Sequence, residues 1–209
     1  MIIKIENLNK IYKDKVVFSN YSLYIPKNKI IGLYGRSGTG KTTLLNLIAG
    51  LDIPDSGDIL VNDKKLTKSL TELANYRRTY LGIIPQSFAL LNFKSVFYNI
   101  SLPLIGKKNK EELSKEVGSL CEKLEISALL NKNPPELSAG ERQRVAIARA
   151  VITKPEVILA DEPTSALDEI TQKIVKDLFL EEQKRGATVL FSSHNKNFGD
   201  FADEIIELS

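Results

Sequence analysis

The sequence has little cysteine, histidine or tryptophan. Its 209 residues include one cysteine, one histidine and no tryptophan. A single cysteine excludes an intrachain disulfide framework and fits a reducing cytoplasm. Because Cys121 falls on an apolar helical stripe with Val117 and Leu124, we predict a buried core thiol rather than a reactive one.

Long apolar runs and an excess of one charge are missing as well. No stretch approaches the roughly 18 uninterrupted apolar residues of a membrane-spanning helix, and residues 1–6 lack the apolar run of a signal peptide. The 29 basic and 26 acidic residues give a net charge of +3, which requires no nucleic acid. We interpret the basic stretch 107–110 as a solvated loop rather than a binding patch. We therefore expect a soluble chain with no nucleic-acid partner, which reaches a membrane only through another protein.

Short strands in the first third and alternating strands and helices elsewhere predict an α/β fold. Three apolar runs predict strands buried on both faces, namely Ile30–Tyr34, Val157–Ala160 and Ala187–Ser193. Helices are predicted from about Lys41 and from Asp168 to about Arg185. This alternation indicates a parallel sheet with ligands at the carboxyl ends of its strands. The buried side of the second helix is expected to consist of Ile170, Ile174, Val175 and Leu178.

The middle of the chain has mostly helical periodicity. Asn109 with Glu112 predicts a helix start, and Pro134-Pro135 predicts a break before the last helix. We therefore expect one domain, 1–209, in which a helical subdomain, 87–151, interrupts a core made of 1–86 and 152–209.

A glycine-rich loop follows the first buried strand and precedes a helix. It matches the pattern G-x-x-x-x-G-K-T, whose glycines let several backbone N–H groups point at one anion. Lys41 adds a charge near the β- and γ-phosphates of ATP, and the Thr42 hydroxyl can bind Mg²⁺. A chance glycine-rich turn is the alternative. The predicted ATP-binding residues here are Gly35, Arg36, Ser37, Gly38, Thr39, Gly40, Lys41, Thr42 and Thr43.

Polar side chains follow the other two buried strands. Asp161 would hold Mg²⁺, directly or through water, and Glu162 would polarise the attacking water. The alternative is an acidic pair that starts a helix. His194, the only histidine, follows the third strand, where it is either structural or placed at the γ-phosphate.

Three further features can each be interpreted as part of a chemical site or as purely structural. Gln86 could ligate Mg²⁺ and sense the γ-phosphate, or be a loop glutamine. Tyr12, in a loop between apolar segments, could stack on adenine, or be a half-buried core tyrosine. Ser138 with Glu141 forms a capping box, yet this helix start with small neighbours is also an anion site.

Taken in order, these motifs resemble those of the nucleotide-binding subunit of an ABC transporter. Leu137–Gln143 is similar to its signature, which separates the family from other P-loop ATPases, kinases and GTPases. The likeness covers nearly the whole chain. The remaining motifs are Tyr12 as the aromatic loop, Gly35–Thr42 as Walker A, Gln86 as the Q-loop, Val157–Glu162 as Walker B, Ser165–Asp168 as the D-loop and His194 as the switch histidine.

The sequence departs from the family at two places. The usual signature is Leu-Ser-Gly-Gly-Gln, whereas this chain has Ala139 and Glu141; alanine there should have a negative φ, and Glu141 also occurs in similar exporters. A turn that often reads Asp-Gly is Asn62-Asp63 here, and asparagine tolerates such a turn.

The resemblance implies a fold, two cofactors and two partners. The fold is a P-loop NTPase core with a mostly parallel sheet, an N-terminal antiparallel β subdomain and an inserted helical subdomain. ATP and Mg²⁺ are the implied cofactors. Two copies, or one copy and a similar ATPase, would pair head to tail when ATP binds. Each ATP would lie between Walker A of one copy and residues 138–141 of the other, with Asp168 crossing the interface.

Within each such site, the resemblance makes Glu162 the general base, with His194 and Lys41 at the γ-phosphate. Since the chain ends at Ser209 with no regulatory domain beyond the core, we expect a separate integral-membrane permease that holds it at the inner face of the membrane.

Three functions remain compatible with these motifs. The branch that the chain resembles most includes lipoprotein-release, macrolide- and bacteriocin-peptide-export, and cell-division ATPases. It favours export of a peptide, lipid or drug, with a signalling ATPase of the cell-division type as the alternative. A soluble DNA-repair or translation ATPase ranks last, because coiled-coil, zinc or tandem insertions are missing from the sequence.

Overall fold

Two sheets of different type organise the computed structural model, which describes residues 1–194 and 200–208. The strands are β1 (Ile3–Tyr12), β2 (Lys15–Ile25), β3 (Ile30–Tyr34), β4 (Ser56–Val61), β5 (Lys64–Lys65), β6 (Leu81–Ile84), β7 (Val157–Asp161), β8 (Thr188–Ser192) and β9 (Glu204–Glu207). The α-helices are α1 (Lys41–Ile48), α2 (Leu70–Tyr80), α3 (Val96–Ser101), α4 (Lys110–Lys123), α5 (Ala139–Val151) and α6 (Glu169–Lys184).

The larger sheet is parallel and has the strand order β6-β7-β8-β3-β9. Every residue of β3, β7 and β8 is buried, because apolar side chains on both faces need cover from both sides. The predicted parallel sheet is confirmed. Its carboxyl edge places the residues that follow β3, β7 and β8 side by side.

The smaller sheet is antiparallel, with the order β2-β1-β4-β5. Its first two strands are 10 and 11 residues long, so the prediction of only short strands in this region was wrong. Both Asn62 and Asp63 have a positive φ, of 50° and 59°, in the turn between β4 and β5. Asparagine and aspartate tolerate this left-handed region because their short side chains hydrogen-bond locally.

Between β6 and β7 the chain is mainly helical. Asn109 and Glu112 form the predicted capping box at the start of α4, and a 3₁₀ turn at Pro134–Glu136 precedes α5. Buried residues of α3, α4 and α5 join one apolar cluster with β7 and α6. No helix within residues 1–194 and 200–208 is long and apolar enough to cross a membrane.

One predicted core residue is on the surface. Ile170 is 77% exposed, although we expected it on the buried side of its helix. The buried stripe of α6 consists of Thr171, Val175, Leu178 and Phe179. Ile170 lies beside this stripe in the first turn of the helix, so the prediction failed there.

Cys121 is fully buried in the helical cluster, as predicted. Burial raises the pKa of its thiol to about 12, since an apolar surrounding disfavours the thiolate. The thiolate is the nucleophile, so the folded chain should be nearly inert to thiol reagents.

We therefore expect a disulfide-exchange reagent at pH 8 to modify Cys121 only when the chain unfolds. Modification should be slow in buffer and rise through the same urea midpoint as the loss of helical circular dichroism. Rapid stoichiometric modification of the folded chain would show that the helical cluster opens locally.

Candidate functional site

The glycine-rich loop joins β3 to α1 at the carboxyl edge of the parallel sheet. Gly40 caps α1 with a φ of 98°, a left-handed conformation that residues with a Cβ adopt at a cost. A Cβ on Gly40 would also lie 2.8 Å from Cγ1 of Val17 and 2.9 Å from Cζ of Phe18. The loop therefore depends on glycine at this position for both its backbone and its packing against β2.

Lys41 is buried and lies inside the curve of this loop. Its Nζ donates hydrogen bonds to the carbonyl oxygens of Gly35, at 2.7 Å, and Arg36, at 3.1 Å. Thr39 Oγ1 also donates to the Arg36 carbonyl, at 3.0 Å. The loop thus holds a positive charge at the N-terminal end of α1, which is where an anionic phosphate is favoured.

Asp161 connects the loop to the ends of β7 and β8. It is 7% exposed, and its Oδ2 accepts a hydrogen bond of 2.8 Å from Thr42 Oγ1. Its Oδ1 accepts one of 2.6 Å from Ser192 Oγ. Ser192 Oγ in turn accepts the backbone N–H of Glu162 at 2.9 Å. Ser192 therefore orients both acidic residues, a role that the sequence analysis missed because it treated this serine only as part of a strand.

Glu162 and His194 face each other beside this group. Nε2 of His194 lies 3.1 Å from Oε1 of Glu162, whose side chain is 12% exposed against 55% for His194. Glu162 has a φ of 50°, and such conformations concentrate at functional sites. Oε1 of Glu162 is buried and has no hydrogen-bond donor of suitable geometry among the described residues. Its contact with His194 is therefore a close approach and not a hydrogen bond.

These groups line one cleft of about 290 Å³. Lys15 and Val17, on β2, were missed by the sequence analysis; Lys15 Nζ donates to the carbonyl of Gly38 at 3.2 Å. The lining residues are Tyr12, Lys15, Val17, Ser37, Gly38, Gly40, Lys41, Thr42, Thr43, Gln86, Asp161, Glu162 and His194.

Tyr12 and Gln86 reach the cleft from opposite sides. Tyr12 is the last residue of β1, so the prediction that it lies in a loop was wrong; it is 43% exposed. Its hydroxyl donates to Oδ2 of Asp52. Gln86 follows β6 and Pro85 and is exposed. Both side chains are accessible to a ligand in the cleft.

The signature residues lie outside this cleft. Ser138 caps α5: its Oγ accepts the N–H of Glu141 at 3.2 Å, while Oε2 of Glu141 accepts the N–H of Ser138 at 2.7 Å. The bond from the Ser138 N–H lowers the pKa of Glu141. Ala139 begins the helix and is not among the residues with positive φ, as predicted.

Gly140 lies close to the segment that leads to Asp168. A Cβ on Gly140 would be 3.1 Å from the carbonyl oxygen of Ala166. Asp168 caps α6, and its Oδ1 accepts the N–H of Thr171 at 2.8 Å, a bond that lowers its pKa. Neither residue lines the cleft. Within one chain, the phosphate loop and the signature are therefore separate surfaces.

Comparison with known proteins assigns this architecture. The family model described as ABC transporter matches residues 18–165. The chain belongs to the ABC transporter family. It is 42% identical over 187 residues, 87% of its length, to the lipoprotein-releasing system ATP-binding protein LolD of Buchnera aphidicola, of which it covers 82%. It is 37% identical over 209 residues to the macrolide export ATP-binding/permease protein MacB of Campylobacter jejuni, covering 99% of this chain and 33% of MacB.

Solved structures of the ABC transporter family share the fold. A dimeric post-hydrolysis state of the ATP-binding cassette MJ0796, bound to ADP and Pi, has a TM-score of 0.92 and 34% identity. The match covers 99% of this chain and 94% of that one. As a member of this family, the chain is an ATP-binding subunit that hydrolyses ATP.

We expect Gly40→Ala in this ABC ATPase to weaken ATP binding by at least about tenfold, because a Cβ is strained at this φ and clashes with β2. Isothermal titration calorimetry with a slowly hydrolysed ATP analogue would measure the loss. Gly118→Ala is the matched control, since a Cβ there meets nothing within 4 Å. Equal binding by the Gly40 variant would contradict the role assigned to the loop.

Proposed function

We propose that this chain powers a separate integral-membrane permease from the cytoplasmic face of the membrane, and that the complex exports a peptide, lipid or drug. The cleft that joins Lys41, Thr42, Asp161 and Glu162 carries the ATPase part of this proposal. The names of LolD and MacB support lipoprotein release or drug export.

Import is a second candidate. Methionine import ATP-binding protein MetN of Clostridioides difficile is 43% identical over 197 residues, which cover 92% of this chain and 61% of MetN. Co-purification from native membranes would separate the two candidates, because the permease captured with the chain determines the direction of transport.

The cleft fits Mg²⁺ as a cofactor. Mg²⁺ is usually bound by one or two protein oxygens together with phosphate oxygens and water. Thr42 Oγ1 and Asp161 Oδ2 are 2.8 Å apart and offer such oxygens, and the amide of Gln86 lies on the same cleft. When bound, Mg²⁺ would neutralise charge on the β- and γ-phosphates.

Each polar residue of the cleft has a proposed task in hydrolysis. The loop N–H groups from Gly35 to Thr43 and the Lys41 ammonium bind the phosphates. Glu162 accepts a proton from the attacking water. His194 donates to the γ-phosphate from its position 3.1 Å from Glu162. Asp161 would hold the metal ion, with the hydrogen bond from Ser192 fixing its rotamer.

A second copy would complete each site. Ser138, Ala139 and Gly140 would meet the γ-phosphate bound to the partner, with Glu141 orienting the Ser138 N–H and Asp168 crossing between the sites. The exposure of Ser138 and Ala139 supports this arrangement. The dimeric ABC structures similar to this chain support it as well.

The helical segment between β6 and β7 has a proposed role of its own. We propose one functional ATPase unit, 1–209, in which residues 87–151 transmit movement to the permease. Arg149 donates to the carbonyl of Phe88 at 2.7 Å and to that of Ala89 at 2.5 Å, so the segment after Gln86 is tied to α5. Phe93, in the same segment, is 76% exposed. Both internal packing and a permease contact are thereby available to residues 88–93.

We expect Glu162→Gln to bind ATP and to hydrolyse it about 10²- to 10⁴-fold more slowly, because the general base is lost while the shape is kept. Phosphate release measures the rate, and light scattering would detect an ATP-trapped dimer. Glu111→Gln, exposed on α4, is the control. Near-normal hydrolysis by the Glu162 variant would remove this residue from the role of base.

We expect Ser138→Ala to weaken ATP-dependent dimerisation while monomer binding of ATP stays almost unchanged. Loss of the cap itself costs about 1 kcal/mol, so Asn109→Ala, which removes the other capping box on α4, is the matched control. Analytical ultracentrifugation of both variants in the Glu162→Gln background gives the comparison. An equal loss of dimerisation in both variants would argue against a contact between copies.

A further inference from the structure

A partly buried ion pair lies next to Tyr12. Lys10, on β1, is 6% exposed, and its Nζ donates to Oδ1 of Asp52 at 2.7 Å and to the carbonyl of Ile53 at 2.8 Å. Burial by itself would raise the pKa of Asp52, but hydrogen bonds from Lys10, Tyr12 and the N–H of Ile53 hold it below its ordinary value. Asp52 is therefore ionised at neutral pH.

Both partners of this ion pair contact Tyr12. Nζ of Lys10 lies 4.7 Å from the centre of the Tyr12 ring, within the range of a cation–π interaction. The Tyr12 hydroxyl donates to Oδ2 of Asp52. One contact covers a face of the ring and the other fixes its tip, so together they restrict its rotation.

The position of Lys10 is unusual for a purely structural role. It occupies an inward-facing site on β1, where Ile3, Ile5 and Leu8 are the other buried residues. Burial of a lysine carries a desolvation cost that an apolar residue of similar length avoids. The buried lysine lies two residues before Tyr12, which lines the nucleotide cleft and is 43% exposed. The desolvation cost therefore falls where β1 reaches the cleft.

We propose that Lys10 and Asp52 are positioning residues that hold the Tyr12 ring as a preorganised wall for adenine. Lys10 occupies one face of the ring, which leaves the other face for the base. This inference rests on the proposed function, in which Tyr12 stacks on adenine. Preorganisation improves affinity because the ring loses no rotational freedom when the base binds. Lys10 and Asp52 therefore affect the base of the nucleotide and not its phosphates.

The test compares ATP with inorganic tripolyphosphate, which has the phosphates and lacks the base. Calorimetry in the presence of Mg²⁺ gives both dissociation constants for the wild type, Lys10→Met, Tyr12→Ala and the double variant. Lys10→Met should weaken ATP binding about three- to tenfold and leave tripolyphosphate binding unchanged. In the Tyr12→Ala background, Lys10→Met should have no further effect on ATP, since Lys10 acts through the ring.

Two more variants control for folding. Lys4→Met removes a lysine from the same strand and breaks its pair with Asp63, whose atoms lie 2.5 Å apart, away from the cleft; it should bind both ligands as the wild type does. Tyr12→Phe keeps the ring and frees it from Asp52, so it should weaken ATP binding without affecting tripolyphosphate. This variant tests the proposal if Lys10→Met does not fold.

The possible failures are distinguishable. A wild type that binds neither ligand would contradict the proposed function itself. If Tyr12→Ala left ATP binding unchanged, the ring would not contact adenine and the positioning role of Lys10 and Asp52 would be wrong as well. If Tyr12→Ala weakened ATP but Lys10→Met and Tyr12→Phe did not, only the positioning role would be wrong. Equal weakening of ATP and tripolyphosphate by Lys10→Met would also overturn it.

Discussion

The carboxylate of Asp161 links the glycine-rich loop to the ends of β7 and β8. It accepts one hydrogen bond from Thr42, at the start of α1, and one from Ser192, at the end of β8. These contacts arise because β7 lies next to β8 in the parallel sheet, with Asp161 opposite Ser192. Through Ser192, the same arrangement reaches the backbone of Glu162. The glycine-rich loop, Thr42 and the backbone of Glu162, which we propose as the general base, are thus organised around one buried carboxylate.

The proposed nucleotide site is built from both sheets. Under our proposal, the phosphates face the glycine-rich backbone and Lys41, a buried lysine at the edge of the parallel sheet. Adenine, under our proposal, faces Tyr12 at the end of the antiparallel hairpin. The two sheets are connected there by Lys15, whose Nζ reaches the carbonyl of Gly38. Nucleotide binding therefore depends on both sheets keeping one relative position.

The capping contacts of α5 explain how a departure from the family signature is accommodated. Glu141 accepts the Ser138 N–H, as a glutamine oxygen at the same position also could, and Ala139 takes an ordinary helical backbone. Gly140 packs close to the carbonyl of Ala166 in the D-loop. The signature and the D-loop of one chain consequently form one packed surface, which suits a contact with a second copy.

Local sequence patterns were enough to predict the parallel sheet, the glycine-rich loop before α1, the helical middle of the chain and two capping boxes, because each depends on local spacing or on a continuous apolar run. It misjudged Ile170, whose exposure depends on which neighbours cover the first turn of α6. It did not predict α2, whose only buried residue is Leu73 and whose apolar pattern is weak. Only the tertiary structure revealed Ser192, Lys15 and the Lys10–Asp52 pair as parts of the site. Their partners are between 23 and 42 residues away in the chain, and no local pattern records such contacts.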